Sequence, residues 1–358
     1  MPWAGPGFDR SGPVGGAETQ ILAVARGLAA AGVRVAVLVL GNRAIPHREI
    51  DGVHVLTRAR APAIRGFGGL VHDLRTLRAL LGCRGRVVVT RSAGRDTAVA
   101  AVAARLMRAG FVYSSANVVD FDLGRLEPVY NVRLFEWAVR SATEVVVQTE
   151  EQAQLCRSRM GRDAVLIRSI AERAEPRTAT PGAFLWIGRT VPYKRLDLYL
   201  DLAAALPEAR FQVIPVAGSH DQTEVVQRLA RAREELPNLE VLDPRPRAQL
   251  GPLIESAVAL VNTSEYEGMP NVFLEGWARG VPALVFSHDP DGVVARHGLG
   301  WFAAGSRDRF VELAREQWVA RQDQREVAAR CVDYVRTHHD AEVVCEAWRA
   351  TLVQAGVH

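Results

Sequence analysis

The chain has 358 residues, 48% of them apolar, and a net charge of +4, a length and composition that suit about two domains with full cores. No apolar run approaches the roughly 18 residues of a membrane span, and Met1-Pro2-Trp3-Ala4-Gly5 shows no secretory leader. Cys83, Cys156, Cys331 and Cys345 are far apart and form no Cys-x-x-Cys or Cys/His cluster, which argues against a disulfide frame or a zinc site and for a cytoplasmic protein.

In chain order, Val33–Leu40, Val53–Thr57, Arg86–Thr90, Phe111–Ser115, Glu144–Gln148 and Ala164–Arg168 read as short buried strands. Helical periods separate most of them, over Ala17–Ala31, Leu70–Leu81 and Thr97–Arg108. The series pauses at Ile170–Ala183, which is polar, carries Pro176 and Pro181, and reads as an interdomain linker. Strands then resume at Ala183–Ile187, Phe211–Val216, Leu239–Leu242, Ala257–Asn262, Pro282–Phe286 and Trp301–Ala303, and a last helix spans Ala341–Val353. Continuous apolar strands alternating with helices mean parallel sheets covered on both faces. The fold class is therefore α/β, with two doubly wound parallel-sheet domains over residues 1–172 and 173–338 facing a central cleft. Ligands of such sheets bind beyond the carboxyl ends of the strands, so functional residues belong on loops that follow strands.

The charge is divided unevenly. Residues 1–172 carry 23 arginines against 15 acids, and residues 173–358 carry 21 basic residues against 25 acids. A basic half beside an acidic half points to different partners. Anionic lipid, a phosphorylated acceptor and nucleic acid all suit the basic half, nucleic acid least, because its arginines are rarely interleaved with aromatics.

Lys194 is the only lysine among 44 basic residues. It follows the strand Ala183–Ile187 and the turn Gly188-Arg189-Thr190-Val191-Pro192-Tyr193. Arginine meets phosphate as a planar fork and lysine as a mobile point charge, so this placement suits a diphosphate; a surface lysine left by composition bias fits the residue taken alone. The second segment, Ser264-Glu265-Tyr266-Glu267-Gly268-Met269-Pro270-Asn271-Val272-Phe273-Leu274-Glu275, follows the strand Ala257–Asn262. Asn271 reads as the N-cap of a helix over Val272–Arg279, with Gly280 at its end. A helix start offers N–H groups to an anion. Carboxylates on the loop (Glu267) and one turn inside (Glu275) accept hydrogen bonds from a polyol, although surface acids at a helix start would look the same.

Glu267 and Glu275, eight residues apart within Glu-Gly-Met-Pro-Asn-Val-Phe-Leu-Glu, resemble the E-x7-E motif of the large family-4 (group 1) of retaining GT-B glycosyltransferases. Gly188-Arg189 with Lys194 resembles that family's pyrophosphate clamp, and Gly15-Gly16-Ala17-Glu18 its N-terminal Gly-Gly-x-Glu loop. The resemblance spans nearly the whole chain and implies a metal-independent enzyme with no cofactor. Such an enzyme moves a sugar with retention from a nucleotide diphosphate sugar, UDP- or GDP-linked, to an acceptor hydroxyl in glycan, cell-envelope polysaccharide, glycolipid or metabolite synthesis.

Arg189 and Lys194 would neutralise the departing diphosphate, Glu267 would hold sugar hydroxyls and Glu275 ribose hydroxyls. Gly15, Gly16, Gly188 and the backbone around Met269, Asn271 and Val272 would touch the donor. The resemblance also implies a final helix, within residues 339–358, that crosses back to the N-terminal domain.

The chain departs from the family in three places. Met269-Pro270 stands where Phe-Gly is usual. There is no room for an apolar strand before the Gly-Gly loop, so either the native start lies upstream of Met1 or the chain is damaged. The histidine that many relatives carry after the fourth strand is absent. In its place stand Asn117, Asp120 and Asp122; Asp120 is a catalytic candidate, and an ordinary Asn/Asp turn fits equally.

Pro244-Arg245-Pro246-Arg247 reads either as a base contact or as a plain loop. His338 and His339 read as surface residues. Arg58–Arg86 mixes arginines with Ile64, Phe67, Leu70, Leu74, Leu77 and Leu80, which suits either a helix packed on its sheet or peripheral contact with the inner face of an anionic membrane. A dinucleotide oxidoreductase would need G-x-G-x-x-G after a strand, which Gly12-Pro13-Val14-Gly15-Gly16 does not supply. A catalytically silent sugar-nucleotide-binding or scaffold protein is the remaining alternative.

Overall fold

The computed structural model describes residues 16–41, 48–59, 68–124, 131–216 and 223–356. The chain divides into two compact units, one of Val14–Ile170 with Ala341–His358 and one centred on Ala171–Asp340.

The first unit opens with α1 (Gly16–Ala30), whose Leu22, Ala25 and Leu28 are buried at helical spacing. Beside them Gln20 is buried and clasps the backbone of Ile170, donating from Nε2 to its carbonyl (2.9 Å) and accepting its amide at Oε1 (2.8 Å). Next come β1 (Val35–Gly41), β2 (Arg48–Ile50) and β3 (Val53–Ala59), a sheet of order β1-β3-β2 in which β2 is antiparallel. The sequence gives no sign of β2, because three residues with one apolar side chain show no alternation.

The chain continues through α2 (Gly68–Cys83), β4 (Val87–Arg91), α3 (Arg95–Met107), β5 (Gly110–Ser114), α4 (Val132–Ser141), β6 (Glu144–Val147), α5 (Glu150–Leu155) and β7 (Val165–Leu166). Strands β4 to β7 form a parallel sheet in chain order. Its core holds Phe111, Tyr113, Phe121, Phe135, Val145 and Val147. The strand expected over Ala164–Arg168 is only two residues long. The C-terminal helix (Ala341–Gly356) returns to this unit, packing against α1, β4 and β5 through Val344, Cys345, Trp348 and Ala355. The expected loss of a first strand concerns residues 1–15, which lie outside the described residues; among the described residues, β1 and β4 do not pair.

The second unit holds β8 (Ala183–Arg189), α6 (Leu196–Ala205), β9 (Phe211–Val216), α7 (Thr223–Glu235), β10 (Leu239–Val241), α8 (Gly251–Glu255), β11 (Ala257–Asn262), α9 (Asn271–Trp277), β12 (Ala283–Val285), α10 (Val293–His297), β13 (Gly300–Phe302), α11 (Arg307–Ala320) and α12 (Arg325–His338). Its six strands form one parallel sheet of order β10-β9-β8-β11-β12-β13. All six residues of β11 are buried, as the unbroken apolar run of a strand covered on both faces requires.

Helix α9 lies close on β11 because residue 276 is glycine: a Cβ there would collide with the Leu260 side chain. Gly280, at φ +73°, ends the helix, with the Val281 amide donating to the Gly276 carbonyl (2.8 Å).

Residues 171–182 form neither helix nor strand and are tied to the second unit by Arg177. Its guanidinium donates to the Ala257 carbonyl (2.6 Å) and to Gln324 Oε1 (2.7 Å). His339, read from the sequence as a surface residue, is in fact fully buried at the end of α12. Its ring faces Tyr334 and its carbonyl accepts the Ala171 amide (2.9 Å).

Candidate functional site

From β8 the chain runs outward through β9 to β10, then returns to place β11 on the other side of β8. That reversal is the topological switch point, where the loops leaving two neighbouring strands part and expose backbone and side chains to a ligand. The loops after β8 and β11 carry Lys194 and Glu267, and the structure brings the two together.

At the end of β8, Arg189 is exposed and donates from Nη2 to the Tyr193 hydroxyl (2.8 Å). Gly188 precedes it, half-buried. A single 3₁₀ turn, Pro192–Lys194, starts with a proline whose fixed φ suits a helix start. It ends at Arg195, which takes the left-handed conformation (φ 47°), at a cost of roughly 1–2 kcal/mol for a side-chain-bearing residue. The Arg195 guanidinium is anchored on both sides, to Asp197 (2.8 Å) and to Glu265 (3.1 Å).

A buried relay fixes the lysine backbone. Trp186 Nε1 on β8 donates to the Thr263 hydroxyl (3.1 Å), which donates to the Lys194 carbonyl (2.7 Å). Ser264, held by its amide on Asn262 Oδ1 (2.8 Å), donates its hydroxyl to Glu267 Oε1 (2.9 Å). The Lys194 ammonium forms an ion pair with that same oxygen, the two side chains being 19% and 11% exposed. At this depth a Lys–Glu pair is only partly screened, and each charge would be costly to leave alone. Tyr193 and Tyr266 stack across the two loops (centroids 4.6 Å, 17°), and the Glu265 amide donates to the Tyr193 carbonyl (2.9 Å).

Met269 is buried, and Asn271 and Val272 are half-buried in the first turn of α9. Asn271 is not the N-cap. Pro270 occupies that position and the helix begins at Asn271, because the extended conformation that a cap requires falls on the proline. Glu275, one turn in, is paired with Arg247 Nη2 (2.6 Å) from the loop after β10. Burial raises its carboxyl above the usual glutamate range, Arg247 and Arg279 draw it down and Glu172 pushes it up.

Asp120 lies in the first unit, after β5. It is buried and accepts from the amides of Ala116 (2.7 Å), Asn117 (3.3 Å) and Ala93 (3.3 Å) and from the Ser115 hydroxyl (3.1 Å). With Asn117 it completes a capping box over Val118–Phe121, so the turn reading describes its surroundings. Burial lifts its carboxyl in spite of these donors, and burial also lowers the neighbouring Arg91 to about 10. Gly16 opens α1, and Gly15 lies outside the described residues.

Sequence reasoning missed Thr263 and Ser264 as members of this cluster, and named Arg247 only within a segment read as a base contact or a plain loop, without its pairing to Glu275. The polar triplet Asn262-Thr263-Ser264, closing a wholly apolar strand, was the available signal for the first two. Among the described residues no group of three His, Cys, Asp or Glu side chains is placed to hold a metal ion, and no helix is long and apolar enough to cross a membrane.

A family model described as glycosyl transferases group 1 matches residues 169–336, and one described as glycosyl transferase 4-like domain matches residues 15–171. No curated protein sequence matches the chain. Among solved structures, sucrose-phosphate synthase from Thermosynechococcus elongatus has a TM-score of 0.77 at 14% identity, over 95% of this chain and 94% of that one. Anabaena HepE in complex with UDP and glucose has a TM-score of 0.72 at 16% identity, over 96% and 97%. A mutant of S. aureus TarM in complex with UDP has a TM-score of 0.62 at 13% identity; it covers 78% of this chain, which spans 59% of TarM's length.

Proposed function

The chain belongs to the group 1 glycosyl transferases, with a GT-B fold, and within that family we propose that it transfers a sugar with retention from a nucleotide diphosphate sugar to an acceptor hydroxyl. The observation that carries this reading is the Lys194–Glu267 ion pair at the switch point of the second unit's sheet, with Ser264 on the same carboxylate oxygen. A cation and an acceptor-rich carboxylate side by side suit a ligand that is anionic at one end and hydroxylated at the other. UDP is the first donor base to test, since it is the nucleotide in the HepE and TarM complexes.

In the proposed reaction, the bond from the sugar's anomeric carbon to the diphosphate oxygen breaks and a bond to the acceptor oxygen forms on the same face. The acceptor's proton passes to the leaving phosphate. Lys194 turns from Glu267 to the diphosphate and, with Arg189, neutralises the charge that develops there, a preorganised electrostatic contribution. Glu267, released, accepts from sugar hydroxyls, and Glu275 accepts from the ribose. Gly188 and the backbone of Met269, Asn271 and Val272 approach the donor. The first unit holds the acceptor, an alcohol on a glycan, lipid-linked or small molecule. Neither a metal nor a cofactor takes part in this scheme. The four cysteines form no disulfide, which supports placing the reaction in the cytoplasm.

Thermal shift against UDP, GDP and NAD, followed by diphosphate release from a panel of nucleotide sugars, tests the proposal. A nucleoside diphosphate should raise the melting temperature and one sugar nucleotide should be turned over. Stabilisation by NAD alone would overturn the reading. Binding without hydrolysis or transfer would leave a silent sugar-nucleotide-binding protein.

A further inference from the structure

Ten large apolar side chains are exposed among the described residues, and six of them lie on three consecutive helices of the first unit: Leu70 and Leu74 on α2, Val102 and Leu106 on α3, Leu134 and Trp137 on α4. These helices are neighbours, α2 against α3 and α3 against α4. Between them runs an open groove of about 360 Å³ lined by Leu74, Leu77, Ala98, Val102, Leu134 and Trp137.

The exposure of α2 runs against its composition. Thr76 is 4% exposed while Leu70 and Leu74 are 55% and 56% exposed. The helix is held in this rotation by polar contacts. Arg95 makes two hydrogen bonds to Asp73 (both 2.6 Å), His72 Nε2 meets Asp96 Oδ1 (2.9 Å), and the Thr76 hydroxyl donates to the same Asp96 oxygen (3.4 Å). Polar contacts, one of them the Arg95–Asp73 ion pair, thus keep leucines facing outward, and contiguous exposed apolar surface marks an interaction site.

Charge narrows the partner. The three helices carry six arginines and three acids. Arg78 stands one turn from Leu74, Arg105 three residues from Val102, and Arg133 and Arg140 flank Trp137 at four and three residues, so the arginines border the apolar stripe. Arg78, Arg105 and Arg133 are exposed and have no acidic partner among the described residues. A second copy of the chain would set this face against itself across a two-fold axis, six arginines and three acids against the same set, so that like charge outweighs opposite charge across the contact. An anionic lipid surface offers what the face lacks: phosphates for the guanidinium forks and an interfacial layer that favours tryptophan and leucine.

We infer that the α2–α3–α4 face docks on an anionic bilayer, with Leu70, Leu74, Leu134 and Trp137 at the headgroup boundary and the bordering arginines on lipid phosphates. The inference stands apart from sugar transfer and is read without a donor.

Co-sedimentation of the full chain with phosphatidylcholine vesicles, with and without phosphatidylglycerol and at low and high salt, is the test. Binding should require phosphatidylglycerol and weaken with salt. Each of Arg78→Ala and Arg133→Ala should reduce it about fivefold. Leu134→Ser with Trp137→Ser should abolish it, while Val319→Ser, an exposed apolar site on α11 (76%), leaves it unchanged. Absence of binding to anionic vesicles, equal binding by all variants, or a dimer in solution that Leu134→Ser with Trp137→Ser dissolves would each overturn the inference.

Discussion

Two loops, one in each unit, follow an interior strand and close on a buried carboxylate, yet they hold it in opposite ways. After β11, Glu267 is met by side chains, the Lys194 ammonium and the Ser264 hydroxyl. After β5, Asp120 is met chiefly by backbone amides, those of Ala93, Ala116 and Asn117. A side chain can rotate away and give its place to a ligand. An amide cannot leave unless the loop itself unfolds. Glu267 therefore sits in a site able to exchange partners, and Asp120 in a turn made to keep its shape.

The largest test of that contrast is Lys194→Ala. Removing one preorganised charge partner costs about 3 kcal/mol of transition-state stabilisation, so kcat/KM on the sugar nucleotide should fall at least about a hundredfold. The melting temperature should fall, because Glu267 is left buried without its cation, but the fold should survive, because the relay from Trp186 through Thr263 holds the backbone carbonyl of residue 194 and not its side chain. Near-normal turnover would make the ion pair a structural bond and erase the difference between the loops.

Asp120→Ala should do the reverse. It strands three amides and a hydroxyl, where each buried unsatisfied donor costs about 1–3 kcal/mol, and it leaves the Arg91 guanidinium buried without the carboxylate that most favours its charge. A stability loss of roughly 3 kcal/mol or more in denaturant melts is expected, with smaller change in kcat per folded molecule. An unchanged melt with lost turnover would place Asp120 on the reacting atoms instead.

What was legible beforehand follows the same division. Long apolar strands such as Ala257–Asn262 announce themselves because burial on both faces leaves no room for polar residues. The three-residue β2 does not, since its pairing with β3 is decided by the neighbour. Lys194 and Glu267 were legible as a rare residue and a spaced motif, but their contact was not, because it depends on which strands become neighbours in the sheet. Arg247 stood in a segment that read equally as a base contact or a plain loop, until the order β10-β9-β8-β11 brought it to Glu275. His339 misled because histidine is commonly exposed, and only the packing of α12 shows it buried under Tyr334. The leucines of α2 read either as the stripe of a helix packed on its sheet or as a membrane-facing one; the polar contacts that set the helix's rotation, Arg95 with Asp73 and His72 with Asp96, join residues 22 and 24 positions apart, beyond any local pattern.

The smallest effect sharpens the comparison at its finest grain. Glu275, like Glu267, is held by side chains, chiefly Arg247, so it too should be free to exchange partners, and its raised carboxyl gives a way to watch it. Burial is the main cause of the rise. With a folded pKa above the unfolded one, this group contributes stability below the usual glutamate value near 4.5 and withdraws it as pH climbs through the raised value. Donor binding runs the other way, because only the ionised carboxylate accepts from both ribose hydroxyls. The KM for the sugar nucleotide should therefore rise as pH falls through that raised value, above the range in which an exposed glutamate titrates. Glu275→Gln should remove this pH dependence and leave KM raised by a few-fold, on the order of one hydrogen bond of about 1 kcal/mol. A wild-type KM that is flat across that acid range would mean that Glu275 stays with Arg247 throughout and that the ribose is held elsewhere.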